Sequence, residues 1–274
     1  MIKIAALQMN SHQDIDHNLS VCATLCAQAE RDGVRLAVLP EMFALMGTDQ
    51  MDKVDKAETF DEGPIQNFIR ELAIKHKLWI VAGTIPIQTE DRRRVRAACL
   101  VYNDKGVIVT RYDKMHLFDI YLEDSNEKYH ESSSTEPGDT LGLVDTPFGT
   151  LGLAVCYDLR FPELFRMMFQ EGAEIIAVPS AFLQSTGQAH WETLLRARAI
   201  ENFCYVIGAN QYGIHNENRE TFGHSMIINP WGKIDAISEK GDHVVSANID
   251  LDYLRQIRQS IPIQQHQRIK IKHV

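Results

Sequence analysis

Cys156 ends an apolar run at 151–156 and precedes a polar stretch at 157–162 that leads into a predicted helix. A nucleophile at a strand-to-helix turn projects outward, and the backbone N–H groups that follow it point towards the same spot. A thiol attacks as the thiolate, so a catalytic Cys156 needs a base or a nearby cation. On position alone, a buried structural cysteine is the alternative interpretation.

Two further polar side chains follow predicted strands and could supply that base and that cation. Glu41 comes directly after Pro40 and the apolar run at 36–39. A carboxylate at the end of a buried strand costs free energy unless it is paired, so it indicates a site residue or a cap. Lys114 follows the second strand of a predicted hairpin, and taken by itself it would be a solvated lysine at a sheet edge. Together with Cys156, the two residues suit nucleophilic catalysis.

Other common motifs are absent from the sequence. It contains no Walker lysine loop, no G-x-G-x-x-G after a strand, no H-E-x-x-H and no C-x-x-C. Cys22 and Cys26 lie on the apolar stripe of a predicted helix, whereas Cys99 and Cys204 fall within predicted strands. We expect these four cysteines to be core residues, and we expect no metal and no cofactor.

The elements that must position the three side chains alternate between strand and helix in two similar halves. The first half predicts strands at 2–9, 36–39, 78–82, 98–102 and 107–109, with helices at 15–29 and 62–77. The second half predicts strands at 151–156, 174–178 and 204–208, a hairpin at 225–234, and helices after Pro162 and at 188–202. Apolar residues of the last helix are expected to face inward: Trp191, Leu194, Leu195 and Ile200.

Two such halves predict one α/β domain in which sheet packs on sheet and helices cover both outer faces. Two independent domains are the alternative, but no linker rich in Gly, Ser or Pro separates the halves. The polar segment at 116–137 is expected to be an irregular functional loop. The basic tail from 264 to 274 is expected to pack on a partner or on the body of the protein.

Composition excludes several classes of protein. The 274 residues are 45% hydrophobic and 24% charged, as in an ordinary globular protein, and the net charge is −9. That charge disfavours nucleic-acid binding, which needs a basic footprint. No apolar run approaches the ~20 residues that span a bilayer, and the first residues do not resemble a secretion signal. Five cysteines cannot form a complete set of disulfides. We therefore expect a cytoplasmic protein.

Three segments that follow predicted strands resemble the nitrilase, or carbon–nitrogen hydrolase, superfamily. They are Leu-Pro-Glu-Met-Phe at 39–43, Tyr-Asp-Lys-Met-His-Leu at 112–117 and Gly-Leu-Ala-Val-Cys-Tyr-Asp-Leu-Arg-Phe-Pro-Glu at 152–163. The resemblance covers nearly the whole chain. It implies a four-layer α-β-β-α sandwich over residues 1–262, followed by a C-terminal tail at 263–274. It also implies a homodimer, because members of the family commonly pair sandwich to sandwich.

The resemblance also implies how the residues act. Glu41 would be the general base that takes the proton of the Cys156 thiol and returns one to the leaving nitrogen. Lys114 would stay charged and stabilise the oxyanion together with the backbone N–H of Tyr157. Water activated by Glu41 would then hydrolyse a thioester acyl-enzyme. Glu131 matches the second glutamate of the family and would position Lys114 and the substrate, unless it is simply a solvated loop acid.

Further segments resemble particular branches of the superfamily. Residues 116–120, 131–132 and 189–199 are typical of small amidases that act on ω-amides of keto acids. Residues 210–225 and 249–258 resemble the branch that cleaves deaminated glutathione. The resemblance therefore implies an acidic small-molecule amide as substrate, most closely deaminated glutathione. The alternative is an ω-amidase that acts on 2-oxoglutaramate and 2-oxosuccinamate.

Three residues match positions that face the substrate in the deaminated-glutathione branch. Arg160 could bind a carboxylate through its two-pronged guanidinium, or else pair with Asp158 or Glu163. Phe182 could contact the substrate or simply pack in the core. Thr186 could contact the substrate or cap a helix.

Two segments depart from the family pattern, and two other functions compete. The acidic stretch at 121–128 leaves the shape of the pocket mouth open, and the stretch at 269–274 leaves any dimer contacts there open. His116 could act as a base, but the resemblance implies no such role for it, and we expect it to be structural. One competing function is that of a partner-binding module, in which the sandwich fold has no catalytic activity. The other is an acyltransferase, but the lipoprotein acyltransferases carry membrane spans, and the sequence predicts none.

Overall fold

The first half of the chain forms most of a six-stranded sheet. The structure is a computed structural model that describes residues 1–122, 127–217 and 219–269. The strands of this sheet lie in the order β16 (His243–Ile249), β1 (Ile2–Gln8), β2 (Leu36–Leu39), β3 (Trp79–Gln88), β4 (Val95–Tyr102) and β5 (Ile108–Asp113). β1, β2 and β3 run parallel, and β4 and β5 return antiparallel. This confirms the predicted strands and the first hairpin.

The second half forms a second six-stranded sheet of the same design. Its strands lie in the order β15 (Ile234–Ser238), β14 (Ser225–Ile228), β11 (Tyr205–Asn210), β10 (Ile175–Ser180), β9 (Gly149–Leu153) and β8 (Gly142–Thr146). The succession β9, β10, β11, β14, β15 repeats the succession β1 to β5, which confirms the pairing of the two halves. Two hairpins stand apart: β6 (Asp119–Leu122) with β7 (Glu127–His130), and β12 (Tyr212–Asn216) with β13 (Arg219–Phe222).

Helices cover the outer faces of the two sheets. The helices that contribute buried residues are α1 (Ile15–Arg31), α3 (Pro64–His76), α4 (Pro162–Gln170), α5 (Gln184–Asn202) and α6 (Leu251–Ser260), whereas the four-residue helices α2 (Asp52–Asp55) and α7 (Ile263–His266) contribute none. Alternate residues of β1 show the layering, because successive strand residues point to opposite faces. Ala5 and Leu7 pack in a cluster with α1 and α3, whereas Ile4 and Ala6 pack in a cluster with the second sheet. The predicted α-β-β-α sandwich is confirmed.

The two halves are interlocked by β16. This strand lies in the second half of the chain, yet it pairs with β1 along seven residues, from Ile2 opposite Ile249 to Gln8 opposite His243. The first sheet is therefore incomplete without a segment from the far end of the chain. That pairing speaks against two independent domains.

Some details of the sequence-based prediction were wrong. α5 begins at Gln184, four residues before the predicted start, and Ile200 is 45% exposed instead of facing inward. The buried face of α5 is set by Trp191, Leu195 and Ala199, and one further residue turns Ile200 about 100° away from that face. The segment at 116–137 contains the β6–β7 hairpin and a short 3-10 helix at Glu131–Ser133, so it is less irregular than predicted.

The described part of the tail lies on the body of the protein. The Gln170 side chain donates a hydrogen bond of 2.9 Å to the Gln267 side chain, and the Gln264 side chain donates one of 3.4 Å to the Gln170 carbonyl. The remaining tail residues, 270–274, lie outside the described residues. Among the helices that the structure describes, none is long and apolar enough to cross a membrane.

Candidate active site

Lys114 lies between two carboxylates. Its Nζ is 2.8 Å from Oε1 of Glu41 and 2.9 Å from Oε2 of Glu131. The Lys114 and Glu41 side chains are 2% and 5% exposed. Burial of these charges is tolerated because each has an opposite charge within hydrogen-bond distance. Three residues that the sequence placed in a catalytic group are thus in direct contact.

Glu41 is presented by an unusual backbone at the end of β2. Met42 has a positive φ of 58°, and its N–H donates to Oγ1 of Thr84 at 2.9 Å. β3 bulges beside it at Gly83, where a Cβ would overlap the carbonyl oxygen of Pro40. Because only glycine permits this close approach, Gly83 helps to fix the turn that carries Glu41.

Lys114 and Glu131 are held by main-chain hydrogen bonds. The N–H of Lys114 donates to the carbonyl of Ala97, and the carbonyl of Lys114 accepts from the N–H of Gly138. Oε2 of Glu131 accepts a 2.7 Å hydrogen bond from the N–H of Phe118. The ammonium group and its second carboxylate are therefore anchored to different segments of the chain and do not depend only on each other.

Cys156 stands at a turn between β9 and a 3-10 helix at Cys156–Arg160. Its φ of 47° is strained for a residue with a side chain, and Pro162 then begins α4. The first N–H groups of a helix lack intrahelical acceptors, so the N–H of Tyr157 is available to a ligand at the Cys156 side chain. This is the strand-to-helix turn that the sequence predicted.

Asp158 ties the Cys156 turn to the end of β5. Its fully buried carboxylate accepts hydrogen bonds from the Val155 N–H at 2.8 Å and from the Tyr112 hydroxyl at 2.7 Å. It also accepts from the backbone N–H of His116 at 3.0 Å, and the His116 Nδ1 lies 2.7 Å away. Since Tyr112 and His116 flank Lys114, one carboxylate fixes the nucleophile turn relative to the lysine.

Sequence reasoning considered Asp158 only as a partner of Arg160. The signal that could have found its function was its position two residues after Cys156, because a buried acid there needs several donors.

The charges of the cluster set the protonation state of its members. Burial and the Glu41 carboxylate raise the pKa of the Cys156 thiol well above its usual value, against an opposing effect of Lys114. Burial by itself would lower the pKa of Lys114, but Glu131 and Glu41 outweigh it and raise that pKa. Burial would raise the pKa of Glu131, but Lys114 and Lys53 lower it. At neutral pH the group therefore contains a thiol, an ammonium and a carboxylate at Glu131.

The other cysteines show why a raised thiol pKa does not by itself mark a nucleophile. All five cysteines are free and buried. Burial raises the pKa of Cys26 and of Cys204 to about 12, yet both pack in the hydrophobic clusters of the core. The prediction that four cysteines are core residues is confirmed for Cys22, Cys26, Cys99 and Cys204, although Cys204 lies just before β11 and not within it.

A cavity of about 240 Å³ opens above Cys156. Seven of the eight residues singled out from the sequence line it: Glu41, Lys114, Glu131, Cys156, Tyr157, Phe182 and Thr186. Sequence reasoning missed three cations that also line it, which are Lys53, Lys128 and Arg219. They come from a four-residue helix and two hairpins, and no motif or periodicity marks such residues in a sequence.

Arg160 is the predicted residue that does not line the cavity. Its guanidinium carbon lies 5.4 Å from the centre of the Phe182 ring and 5.9 Å from that of Tyr157. Within the described residues it forms no ion pair with Asp158 or Glu163. Arg160 therefore lies against two aromatic residues of the cavity wall.

Phe182 and Thr186 line the cavity from the start of α5. Phe182 is 4% exposed and also packs on Trp191, so it serves the core as well as the cavity wall. The N-cap of α5 is Leu183, and Thr186 is the third residue of the helix, so Thr186 does not cap it.

The shape of the pocket mouth at 121–128 is described only in part, since 123–126 lie outside the described residues. Over the described ranges, no cluster of three or more His, Cys, Asp or Glu side chains is arranged to hold a metal ion.

Comparison with known proteins relates this geometry to characterised relatives. The chain is 40% identical over 266 residues to the deaminated glutathione amidase of Yersinia enterocolitica, covering 97% of this chain and 92% of the relative. It is 42% identical over 269 residues to the human deaminated glutathione amidase, covering 97% and 82%.

Two solved structures have the same fold. The crystal structure of the C. elegans NitFhit protein superposes with a TM-score of 0.91 at 38% identity, covering 97% of this chain and 65% of that one. Saccharomyces cerevisiae Nit3, a member of branch 10 of the nitrilase superfamily, superposes with a TM-score of 0.87 at 30% identity, covering 98% and 97%.

The family model for carbon-nitrogen hydrolases matches residues 3–259, so the match includes all three strand-end segments and both sheets. Fold, sequence and the residues gathered at Cys156 agree, and the chain belongs to the carbon-nitrogen hydrolase family.

Proposed function

We propose that the protein is an amidase that uses Cys156 as nucleophile, Glu41 as general base and Lys114 as oxyanion stabiliser. The observation that carries this proposal is the placement of the Lys114 ammonium between two carboxylates in the same small cavity as the thiol. Glu41 lines the same cavity as Cys156, and its carboxylate lies close enough to the thiol to raise the pKa of Cys156, as a base that removes the thiol proton requires.

Acylation begins when Glu41 takes the proton of the Cys156 thiol. The sulfur attacks the amide carbonyl carbon, and the carbonyl π-electrons move to the oxygen. Lys114 Nζ and the Tyr157 N–H stabilise the oxyanion that forms. When the oxyanion collapses, the C–N bond breaks, and Glu41 returns the proton to the leaving nitrogen. The product is a thioester on Cys156 and a free amine.

Deacylation uses the same groups with water in place of the amine. Glu41 removes a proton from the water, whose oxygen attacks the thioester carbon. Lys114 Nζ and the Tyr157 N–H also stabilise this second oxyanion. The C–S bond then breaks, and the proton held by Glu41 returns to the Cys156 sulfur, which leaves a carboxylic acid product and the resting enzyme. Glu131 acts through Lys114, which it orients and keeps charged.

The proposed substrate is deaminated glutathione, in which a keto group replaces the amino group of the glutamyl residue. The proposal comes from the relatives near 40% identity that carry this activity in their names. Hydrolysis of its ω-amide releases 2-oxoglutarate and cysteinylglycine. Phe182, just before α5, and Thr186, in its first turn, would contact the acyl part, and Arg160 would act beside the Phe182 ring.

The test compares deaminated glutathione with 2-oxoglutaramate, which has the same acyl group but releases ammonia. On one preparation, kcat/KM should favour deaminated glutathione. A ratio that favours 2-oxoglutaramate by more than about tenfold, or ~1.4 kcal/mol, would instead identify an ω-amidase. The Cys156→Ala variant should hydrolyse neither compound while its circular dichroism spectrum and melting temperature stay unchanged. Turnover by that variant would contradict the assignment of the nucleophile.

We also propose a cytoplasmic homodimer in which residues 1–262 form the hydrolase domain and 263–274 the tail. A nucleophilic thiol has to stay reduced, and the free state of all five cysteines supports a reducing compartment. Light scattering coupled to size-exclusion chromatography should give a mass near twice the 31.2 kDa of one chain. A mass of one chain at micromolar concentration would exclude the dimer. Cell fractionation should recover the protein with cytoplasmic markers.

A further inference from the structure

Lys53 contributes a positive charge to the cavity. It belongs to the short helix α2, is half-buried, and donates a 2.7 Å hydrogen bond from Nζ to Oγ1 of the buried Thr135. No carboxylate of the described residues lies within ion-pair distance of it, in contrast to Lys114, which has two. Thr135 therefore holds the ammonium in place without cancelling its charge.

Arg219 lines the same cavity and is also incompletely partnered. It is the first residue of β13, and its guanidinium carbon lies 6.0 Å from the centre of the Tyr129 ring. Its Nε is buried without a hydrogen-bond acceptor, and the described part of the chain offers it no ion pair. A buried guanidinium donor without an acceptor is costly, because the group has lost water and gained nothing in return.

The two cations make the cavity locally positive in an acidic chain. Among the residues that the structure describes, the cavity wall carries four cationic side chains (Lys53, Lys114, Lys128, Arg219) and three anionic ones (Glu41, Asp49, Glu131). The net charge of the whole chain is −9. Burial lowers the pKa of Lys53, and the more distant Glu131 and Glu41 oppose that effect without cancelling it. An anion bound beside Lys53 and Arg219 would recover the free energy that their desolvation costs.

We propose that Lys53 and Arg219 form a subsite for a carboxylate on the leaving-group side of the amide. This inference rests on the proposed function and extends it to the amine half of the substrate. In deaminated glutathione, the carboxylate is that of the terminal glycine. A Lys and an Arg that are prepositioned but unpaired bind such a group through charge-assisted hydrogen bonds.

The leaving-group side is assigned to the two cations because they come from elements other than those that carry the proposed acyl contacts. Glu41 must face the leaving nitrogen, because it delivers the proton that frees the amine. Lys53 comes from α2 and Arg219 from β13, and both side chains line the same cavity as Glu41. The proposed acyl contacts come from different elements, namely the Cys156 turn and the start of α5.

The experiment uses three substrates with one acyl group: deaminated glutathione, its C-terminal carboxamide and 2-oxoglutaramate. In Lys53→Met and Arg219→Met, kcat/KM for deaminated glutathione should fall about 10- to 100-fold, the range expected for one lost charged hydrogen bond. For the other two substrates, kcat/KM should change less than about threefold, because neither has a carboxylate on the leaving-group side of the amide. The Lys53→Arg variant, which keeps the positive charge, should retain most of the wild-type kcat/KM for deaminated glutathione. Lys56→Met, which removes an exposed lysine just after α2, is the matched control.

Several results would overturn the subsite. Equal losses of kcat/KM on all three substrates would place the two cations on the acyl side. An unchanged kcat/KM on all three would show that the two cations do not bind the substrate. If the wild-type protein hydrolyses none of the three, the proposed function fails by itself. The subsite is then judged by calorimetry on Cys156→Ala protein, where deaminated glutathione should bind more tightly than its carboxamide. That preference should vanish when Lys53→Met is added, and its persistence would refute the subsite.

Discussion

The carboxylate of Asp158 meets His116 twice, through the backbone N–H at 3.0 Å and through Nδ1 at 2.7 Å. The same carboxylate receives the N–H of Val155, directly before the nucleophile. The distance between the Cys156 turn and the end of β5 is therefore set by one buried acid. His116, which the sequence predicted to be structural, contributes to this link by its contact with Asp158.

Asp158→Asn should impair both stability and turnover. An amide in this place turns an NH2 group towards donors that need an acceptor, so we expect a loss of about 3 kcal/mol in the free energy of unfolding. A shift of the Cys156 turn relative to Lys114 should lower kcat by about tenfold or more. Urea denaturation and steady-state kinetics measure the two effects. The exposed Asp139→Asn should change neither, and an active, fully stable Asp158→Asn protein would show that the link is dispensable.

Glu41→Gln should separate thiol ionisation from catalysis. Since the Glu41 carboxylate helps to raise the pKa of Cys156, removing its charge should lower that pKa and increase the thiolate fraction at pH 8. Hydrolysis should nevertheless fall by at least about 100-fold, because no base remains to transfer protons. Thiolate absorbance titrated against pH, with Cys156→Ala as the blank, reports the first effect. A thiol pKa that rises in Glu41→Gln would contradict the electrostatic account.

Gly83→Ala should displace Glu41 without touching it. The added Cβ would overlap the carbonyl oxygen of Pro40 at a φ of 37°, so the turn after β2 must shift. We expect at least tenfold lower kcat/KM. Gly172→Ala is the matched control, since Gly172 also has a positive φ, of 94°, but an added Cβ meets nothing within 4 Å. The control should lose only stability, and an equal loss of activity in both variants would point to general backbone strain.

His215 should make stability depend on pH between about 4 and 6.5. Burial lowers its pKa from 6.5 to about 4, while Nδ1 lies 2.8 Å from the Ser11 carbonyl and Nε2 lies 2.7 Å from the Thr221 hydroxyl. In this range the unfolded chain binds more protons than the folded one, so stability is complete above pH 6.5 and falls as the pH drops towards 4.

The effect of His215 can be isolated by substitution. From pH 7.5 to pH 5, the buried imidazole should account for about 2 kcal/mol of the loss in the free energy of unfolding. His215→Asn should be less stable at pH 7.5 but lose about 2 kcal/mol less over that interval, as measured by urea denaturation at both pH values. His17→Asn, an exposed substitution, should follow the wild-type curve. An unchanged pH dependence in His215→Asn would show that the group titrates normally.

The fold was predictable because each local pattern agreed with the sandwich. Continuous apolar runs such as 36–39 indicate strands covered on both faces, and these occur twice in the same order. Glu41 and Cys156 could be found because each lies at the end of such a run, whereas Lys114 was indicated by the segment at 112–117 that resembles the family. The pairing of β16 with β1 could not be predicted, since strand pairing between distant segments leaves no local signal in the sequence.

The rest of the site depends on side chains whose neighbours are distant in sequence. Lys53 looks like any lysine of a short polar helix until Thr135 is brought beside it. Ile200 was expected inward because it is apolar, but its angular position on α5 turns it outward. In both cases the outcome was decided by tertiary contacts, which outweigh composition and local periodicity.

The pairing of β16 with β1 also dictates an order of events during synthesis. β1 is synthesised more than 230 residues before β16, its partner at this edge of the sheet. At roughly 5–20 residues per second, the edge of β1 stays open for on the order of tens of seconds. The sheet that carries Glu41 and Lys114 is thus completed after the second sheet. Cys156 is therefore already part of the nascent chain before the active site can be complete.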